Sequence, residues 1–182
     1  QAFGTAADGY EGAAAVQHDV AGRLADRIAT LPLPPAPLVL DVGCGTGFLM
    51  RALRERLTDA TWIESDLSPA MVATCRAATG PGRAFFLAMD GEQPAVRGGF
   101  DLICSSLAVQ WFESLSGGLA GLINLLRPGG WLAFSTLAEE TFGEWRAAHA
   151  ALGLTPGTPT YPNPTTLTAD WPTGGHGTVS EE

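Results

Sequence analysis

Three glycines at alternate positions follow a short apolar run in the segment VLDVGCGTG, residues 39–47. In α/β folds, a strand that ends in such a turn and opens a helix is a ligand site. Small residues let the ligand approach the backbone, and the helix N-terminus offers free N–H groups. An acid, Asp41, lies in the strand just before the glycines. The segment therefore predicts a ligand-binding loop.

Three ligand classes compete for this loop. The phosphate-binding P-loop requires the pattern GxxxxGK[ST], and a chain without any lysine excludes it. The dinucleotide motif GxGxxG would place its third glycine at position 48, which is Phe48, so the spacing counts against NAD without excluding it. The third ligand, S-adenosylmethionine (SAM), carries no pyrophosphate. It requires close backbone approach, an acceptor for its ammonium group and an acid for its ribose diol.

Acids also lie at the ends of the next two predicted strands. Asp66 ends the second strand, where a carboxylate can accept hydrogen bonds from both ribose hydroxyls. Asp90 ends the third strand after Met89, where the acid can accept from the adenine amine while the methionine lies against the ring. Each acid alone is as readily an ordinary strand-end residue. Together with Asp41 they lie at the carboxyl edge of the sheet, where ligands bind, and this coincidence favours SAM.

Predicted strands and helices alternate along the chain. Ser68 is a predicted N-cap, and Pro69 takes the first helical position, where its missing N–H costs nothing. The alternation predicts an α/β domain with a mostly parallel sheet and helices on both faces. The predicted helices cover about 13–30, 48–57, 68–78, 115–126 and 139–152, and the predicted strands are LVLDV, ATWIESD, AFFLAMD, FDLICSS and WLAFSTL.

Length and composition predict one domain over residues 1–182, with an N-terminal helical cap at about 1–30. From residue 155 the chain is rich in Pro, Gly and Thr and has no periodicity, so this part is predicted to be irregular or incomplete. The net charge of −9 disfavours nucleic acid as a partner. The chain shows neither an apolar run of membrane-spanning length nor a signal-peptide pattern at its start, which predicts a cytoplasmic protein without a membrane partner.

The cysteines are scattered singly along the chain. Cys44, Cys75 and Cys104 show neither a paired framework nor metal-ligand spacing, and we interpret them as small buried hydrophobic residues. No metal site is predicted. For the oligomeric state, a monomer is the default expectation.

Taken together, VLDVGCGTG, Asp66 followed by LSPAM, the strand-end Asp90 and FDLICSSLAVQW resemble class I SAM-dependent methyltransferases, which have a Rossmann-like fold. The resemblance covers about residues 3–152. It implies that the glycines line the methionine part of SAM, that Asp66 binds the ribose, that Met89 and Asp90 bind the adenine, and that Ser105 lies at the methionyl end. The cofactor-binding residues it implies are Asp41, Gly43, Gly45, Gly47, Asp66, Leu67, Met71, Met89, Asp90, Ser105 and Leu107.

Three further stretches are similar to the family members that methylate a malonyl carboxylate on an acyl-carrier protein in biotin synthesis: AFGTAADGYEGAAAVQ, SSLAVQWFESL and RPGGWLAFSTLAEETFGEWRAAHAALG. Family members of the trans-aconitate type share part of this pattern, including the tryptophan after the fourth strand. The resemblance implies SAM as cofactor, S-adenosylhomocysteine (SAH) as product and an acyl-carrier protein as partner. Two features depart from it. Glu64 stands where an apolar or small residue is usual, and residues 155–182 show no strands for the family's final antiparallel pair.

A carboxylate acceptor with a pKa of about 4 is already ionised at neutral pH, so the reaction requires no general base. The catalytic residues are then positioners, and the candidates are Tyr10, Gln17, Trp111 and Arg146. Tyr10, Trp111 and Arg146 also have an ordinary structural interpretation, as a helix anchor, a core residue and a solvated arginine. The alternatives that the sequence leaves open are a methyltransferase acting on a small free acid, a non-catalytic SAM-fold binding module and, more remotely, an NAD oxidoreductase.

Overall fold

The computed structural model describes residues 15–158, 160–169 and 177–180, in two compact units, Gln1–Ser135 and Thr136–Glu182. The first unit holds a five-stranded sheet in the order β3-β2-β1-β4-β5, and all of its strand pairs are parallel. The strands are β1 (Leu38–Val42), β2 (Thr61–Asp66), β3 (Ala84–Ala88), β4 (Phe100–Ser106) and β5 (Leu126–Ser135). The direction of winding reverses between β1 and β4, and in such sheets the crevice at the reversal is where ligands bind.

Four α-helices alternate with these strands. They are α1 (Ala15–Ile28), α2 (Phe48–Leu53), α3 (Pro69–Thr79) and α4 (Leu115–Ile123), and a 3₁₀-helix at Val109–Trp111 follows β4. The predicted start of α3 is confirmed, because the Ser68 side chain accepts a hydrogen bond from the Met71 N–H and Pro69 is the first helical residue.

Two of these helices end earlier than the sequence predicts. After α2 the chain tightens into a turn in which the Arg56 N–H donates to the Leu53 carbonyl, so regular helix ends at Leu53 instead of residue 57. The helix α4 ends at Ile123, because Leu126 already pairs with Phe100 of the neighbouring strand. Strand pairing therefore competes with helix α4 for the residues at its end.

Alternate residues of each strand point to opposite faces of the sheet, and each face has its own core. On one face, Val39 of β1 and Leu102 of β4 pack with residues of α1 and α2 such as Ile28 and Leu53. On the other face, Leu40 and Ile103 pack with Leu122 of α4, among others. Helices on both faces of a parallel sheet are what the sequence predicts, and this prediction is confirmed.

A buried carboxylate ties three strands together at the end of the sheet where they begin. Asp101 of β4 is 5% exposed, and its Oδ2 accepts a hydrogen bond from the N–H of Leu38, the first residue of β1, at 2.7 Å. Its Oδ1 lies 2.5 Å from a guanidinium nitrogen of Arg127, in β5. This anchor lies at the edge of the sheet opposite to the glycine loop.

The second unit contains helices α5 (Gly143–Ala151) and α6 (Pro164–Ala169). Within the described residues no strand follows β5, in line with the sequence pattern. Helix α6 lies in the part predicted to be irregular. It begins after Asn163, whose Oδ1 accepts from the Thr165 N–H, so Asn-Pro was an overlooked start signal. The single-domain prediction stays a prediction.

Among the residues that the structure describes, no helix has the length and apolar character needed to cross a bilayer.

We expect Asp101→Ala to lower the free energy of unfolding by about 1–3 kcal/mol, because the Leu38 N–H loses its buried acceptor and Arg127 loses its ion-pair partner. Arg127→Ala should cost less, since the Arg127 side chain is 46% exposed and exposed ion pairs contribute little. Chemical denaturation of both variants beside the wild type measures the difference. Equal losses would contradict the role of the Asp101–Leu38 hydrogen bond.

Candidate functional site

The glycine loop, residues 43–47, joins β1 to α2 in a conformation that requires glycine. Gly43, Gly45 and Gly47 have φ angles of 72°, 54° and 86°, in the left-handed region that residues with a Cβ rarely adopt. The N–H groups of Gly43 and Cys44 both donate to the carbonyl of Ser65 at 2.8 Å. The loop is thereby bound to the carboxyl end of β2.

The three glycines have different surroundings. A Cβ on Gly43 would lie 2.3 Å from the Cβ of Ala108, and a Cβ on Gly47 would lie 2.8 Å from the sulfur of Cys75. A Cβ on Gly45 would meet nothing within 4 Å. Gly43 and Gly47 are therefore required for packing against the chain, and Gly45 borders the open space into which a ligand can come close to the backbone.

Asp66 connects the end of β2 to this loop. Its Oδ2 accepts a hydrogen bond from the Gly45 N–H at 3.0 Å, and its Oδ1 accepts from the Ser68 N–H at 2.8 Å. Each carboxylate oxygen can accept a second hydrogen bond, so both remain able to bind a diol. The next residue, Leu67, is 74% exposed. The structure thus brings Asp66 and Gly45 together, as the sequence predicts for two parts of one site.

The segment after β3 carries Met89 and Asp90. Met89 is 6% exposed and belongs to the core with Leu40, whereas Asp90 is exposed and its Oδ1 accepts from the Glu92 N–H at 2.9 Å. Glu92, which the sequence reasoning did not single out, accepts hydrogen bonds from the N–H groups of Glu113 and Ser114. This segment is therefore joined to the start of α4.

Two of the predicted cofactor residues are enclosed by the protein. Ser105 is fully buried, and its hydroxyl donates to the Val42 carbonyl at 2.8 Å. Met71 on α3 is 4% exposed. A third, Leu107, has a positive φ of 51°, and its N–H donates to the Ser135 carbonyl. Leu107 therefore shapes the turn that brings Ala108 against Gly43.

The predicted positioners are spread over the chain. Gln17 is half-buried on α1, and Trp111 is 56% exposed in the 3₁₀-helix. Arg146 lies in the second unit, on α5, where its guanidinium donates to two carbonyls of that unit, those of Thr141 and Glu139. Tyr10 lies outside the described residues. The roles of these four residues stay predictions.

Two polar side chains, Thr46 in the glycine loop and Gln110 in the 3₁₀-helix, were not singled out from the sequence. The Thr46 hydroxyl is buried and meets no hydrogen-bond partner in the part of the chain that the structure describes. The same holds for Oε1 of Gln110, whose amide nitrogen donates to the Leu107 carbonyl at 2.8 Å. Buried polar atoms normally have partners, so both groups are available to a ligand. Their positions within the GCGTG and AVQW motifs were the available signal.

A cluster of acids and thiols lies behind the loop. Asp41 of β1 and Glu64 of β2 are 1% and 0% exposed and stand opposite each other in the strand register. The Cys75 thiol donates to Glu64 Oε2 at 3.6 Å. The sulfur atoms of Cys44 and Cys75 and a carboxylate oxygen of Glu64 all lie within 4.8 Å of one another. In the sequence these cysteines look isolated, because residues on separate elements of the fold show no regular spacing along the chain.

Burial perturbs the titration of this cluster. It raises the pKa of the Asp41 carboxyl to about 8, and the charge of Cys75 adds to the rise, while a hydrogen bond from Glu64 opposes it. Burial and the neighbouring Asp41 raise the pKa of Glu64 well above its usual range. A hydrogen bond from Cys44 lowers the pKa of the Cys75 thiol to about 7, against the effect of burial. Asp41 therefore retains its proton at neutral pH, and burial disfavours the ionised form of Glu64 as well.

Comparison with known proteins gives consistent results. A family model described as a methyltransferase domain matches residues 39–130. The chain is 54% identical over 162 residues to the biotin biosynthesis bifunctional protein BioCD of Bordetella avium, covering 88% of this chain and 34% of that protein. It is 46% identical over 182 residues to a malonyl-[acyl-carrier protein] O-methyltransferase of Magnetococcus marinus, covering 99% of this chain and 67% of that protein. The chain thus spans about a third to two thirds of these relatives.

Solved structures share the fold. A putative methyltransferase in complex with the Trm112 activator from Haloferax volcanii superposes with a TM-score of 0.76 at 22% identity, covering 93% of this chain and 74% of that one. The plantazolicin methyltransferase BpumL in complex with SAH gives a TM-score of 0.60 at 17% identity, covering 78% and 55%.

The parallel strand order and the fold shared with these neighbours are those of class I SAM-dependent methyltransferases. The resemblance that the sequence predicts is therefore confirmed. The chain belongs to the methyltransferase-domain family and, within it, to the family of malonyl-[acyl-carrier protein] O-methyltransferases.

We expect Gly43→Ala and Gly45→Ala to differ in stability. The first forces a contact of 2.3 Å as well as an unfavourable φ and should cost about 2–4 kcal/mol, whereas the second carries only the backbone penalty of about 1–2 kcal/mol. Urea denaturation of both variants tests this. If Gly45→Ala were the more destabilising, the distinction between a packing glycine and a ligand-facing glycine would be wrong.

Proposed function

We propose that this chain binds SAM at the glycine loop and transfers its methyl group to the free carboxylate of a malonyl group carried on an acyl-carrier protein, the step that serves biotin synthesis. The observation that supports the proposal most is the 46% identity, over 99% of this chain, to a malonyl-[acyl-carrier protein] O-methyltransferase. The acceptor is inferred from that relative, and the cofactor site is argued from this chain's own residues.

The residues at the carboxyl edge of the sheet fit SAM. The space beside Gly45 admits a ligand to the backbone. Neither oxygen of Asp41 has a donor among the described residues other than the neighbouring Glu64 carboxyl, which leaves a buried acceptor for an ammonium group. Asp66 offers two carboxylate oxygens to a diol, and Asp90 is exposed at the next strand end, where it can accept from an amine. SAM itself supplies a methyl group activated by a sulfonium.

Residues next to these acids can provide the apolar contacts to the cofactor. Leu67, 74% exposed directly after Asp66, can cover one face of the adenine. Met89 lines the base of the same region from the core. The neutral hydrogen-bonding groups left over, the Thr46 hydroxyl and the Gln110 carbonyl, can bind the polar ends of the cofactor or of the acceptor.

The protein's part in the reaction is positioning. A carboxylate with a pKa of about 4 attacks without losing a proton, so the chain has to align its oxygen with the methyl group and remove water from it. Trp111 is suited to this, because it lies three residues after Ala108, which contacts Gly43 of the loop. Tyr10, Gln17 and Arg146 remain candidates for the same task, with Arg146 a candidate partner for a carboxylate.

The proposed partner is an acyl-carrier protein, which is typically acidic. Since this chain carries a net charge of −9, docking requires a local basic surface. The proposed surface consists of Arg51 on α2, Arg54 directly after α2 and Arg76 on α3. Each is held in place while keeping its charge: Arg51 and Arg76 lie over the rings of Phe48 and Phe86, and Arg54 donates to the Thr79 carbonyl at 2.7 Å. A monomeric state, as the default, and a cytoplasmic location remain proposals.

We expect the purified chain to bind SAM and SAH in calorimetry. Asp66→Ala should weaken binding by about 1–3 kcal/mol, because the diol loses its acceptor and Gly45 loses the partner of its N–H. Asp59→Ala removes an exposed acid of the surface and serves as the matched control. Absence of binding by the wild type, or equal binding by the Asp66 and Asp59 variants, would contradict the proposed cofactor site.

We expect label from methyl-labelled SAM to appear on malonyl-acyl-carrier protein and not on free malonate or trans-aconitate, because the carrier surface contributes binding that a free acid lacks. Scintillation counting of the three reactions measures the transfer. Label on the free acids alone would favour the small-acid alternative. Cofactor binding without transfer to any of the three would favour a non-catalytic binding module.

A further inference from the structure

Glu64 is an acid in an apolar setting. It is fully buried on β2, on the sheet face where Trp62 of the same strand and Leu102 of β4 belong to the hydrophobic core. Burying a carboxyl in such surroundings is unfavourable unless the group is neutral or paired, so its presence calls for a physical reason.

The neighbour of Glu64 is the second buried acid. Glu64 and Asp41 are register partners on adjacent parallel strands, and such strands lie about 4.8 Å apart. Two carboxylates at this separation and without solvent cannot both be ionised at neutral pH, so the pair holds at least one proton. Which carboxyl keeps that proton decides the charge presented to a ligand.

Four titratable groups of the described chain act on the pair. They are the thiols of Cys44 in the loop, Cys75 on α3 and Cys104 on β4, and the Asp66 carboxylate at the end of β2. All of these are neutral or negative. The one cation that acts within the cluster, among the described groups whose titration is perturbed, is Arg51, and it acts on Cys75. A proton on one of the two carboxyls therefore takes the place of a counter-ion.

We propose that Glu64 is a positioning residue of the cofactor site: it keeps the proton of the acid pair and donates it in a hydrogen bond to Asp41, so that Asp41 is the carboxyl that ionises when a cationic amino group binds beside it. The inference rests on the proposed function. In this step the Asp41 O–H bond breaks, the proton passes to solvent, and the carboxylate formed pairs with the ammonium of the ligand. Glu64 stays protonated throughout.

The directions of titration agree with this assignment. The hydrogen bond from Glu64 lowers the pKa of Asp41, whereas the contact with Asp41 raises the pKa of Glu64, so Asp41 releases its proton first. Burial still holds the pKa of Asp41 at about 8, against 3.8 as the reference value. The folded chain thus retains a proton that the unfolded chain releases above pH 4. The contribution of this proton to the free energy of unfolding is complete at low pH and decreases as the pH rises towards 8.

The first experiment counts protons. Titration of the wild-type chain with SAH at pH 6.5, in two buffers of different ionisation enthalpy, should show nearly one proton released per ligand bound, and Asp41→Asn should show none. Cys75→Ser removes the nearby thiol that also titrates, and it should leave the count unchanged. Binding without proton release by the wild type would overturn the proposal while leaving the proposed function intact. Absence of SAH binding would contradict both this proposal and the proposed function.

The second experiment separates the hydrogen bond from packing. Glu64→Gln keeps a donor for Asp41 and should bind SAH within about threefold of the wild type, with the same proton count. Glu64→Leu removes the donor and should bind about tenfold or more weakly at pH 6.5, with the difference shrinking above pH 8. Equal losses in a folded Gln variant and the Leu variant would show a role in packing alone and overturn the proposal.

A third readout does not depend on the cofactor or on the folding of the Leu variant. The urea midpoint of the Cys75→Ser chain should decrease as the pH rises from 5 to 8. The Cys75→Ser/Asp41→Asn chain should show a clearly smaller decrease, because Glu64 is then the one acid of the pair that still retains a proton released on unfolding. Equal pH dependence in the two would overturn the proposal. Metal analysis of the purified wild type completes the test, since stoichiometric zinc that is lost in Cys75→Ser would make Glu64 a metal ligand instead of a proton donor.

Discussion

The rest of the site depends on the close approach of the glycine loop to the ends of its neighbouring strands. Two successive N–H groups, those of Gly43 and Cys44, share the carbonyl of Ser65, and the Cα of Gly43 lies against Ala108 beyond β4. A loop held at both sides in this way has a fixed backbone before any ligand arrives, which lowers the ordering cost of binding. The same contact places Asp66 within reach of the Gly45 N–H, so the glycine loop and the strand-end carboxylate are fixed relative to each other.

Much of this arrangement could be predicted from the sequence, because it depends on short sequence motifs. The apolar run before VLDVGCGTG, the Ser68–Pro69 helix start and the strand-end acids each depend on a few neighbouring residues. The alternation of elements then leaves few topologies, and the observed parallel order is the one expected for a doubly wound sheet. Element ends were less accessible. Where α4 gives way to β5 is decided by pairing with Phe100, a residue far away in the sequence.

The distinctions within the site could not be predicted in the same way. Three glycines with similar φ angles look alike in a sequence, yet only the positions of Ala108 and Cys75 in space reveal that two of them serve packing. The cluster of Cys44, Glu64 and Cys75 joins a loop, a strand and a helix, and no spacing rule connects them. Glu64 was visible as an unusual residue, but its relation to Asp41 is a matter of strand register, which one chain's sequence does not specify for parallel strands.

The position of Asp101 has a consequence for how such a chain can change over evolutionary time. Its carboxylate joins the beginnings of β1, β4 and β5, whereas the residues suited to ligands gather where the strands finish. The stabilising contacts and the residues suited to ligands thus lie at opposite ends of the strands of one sheet. Mutations that explore new acceptors act on the turns after the strands and leave the anchoring carboxylate untouched. A family built on this plan can diversify its chemistry at one rim while inheriting its folding stability from the other.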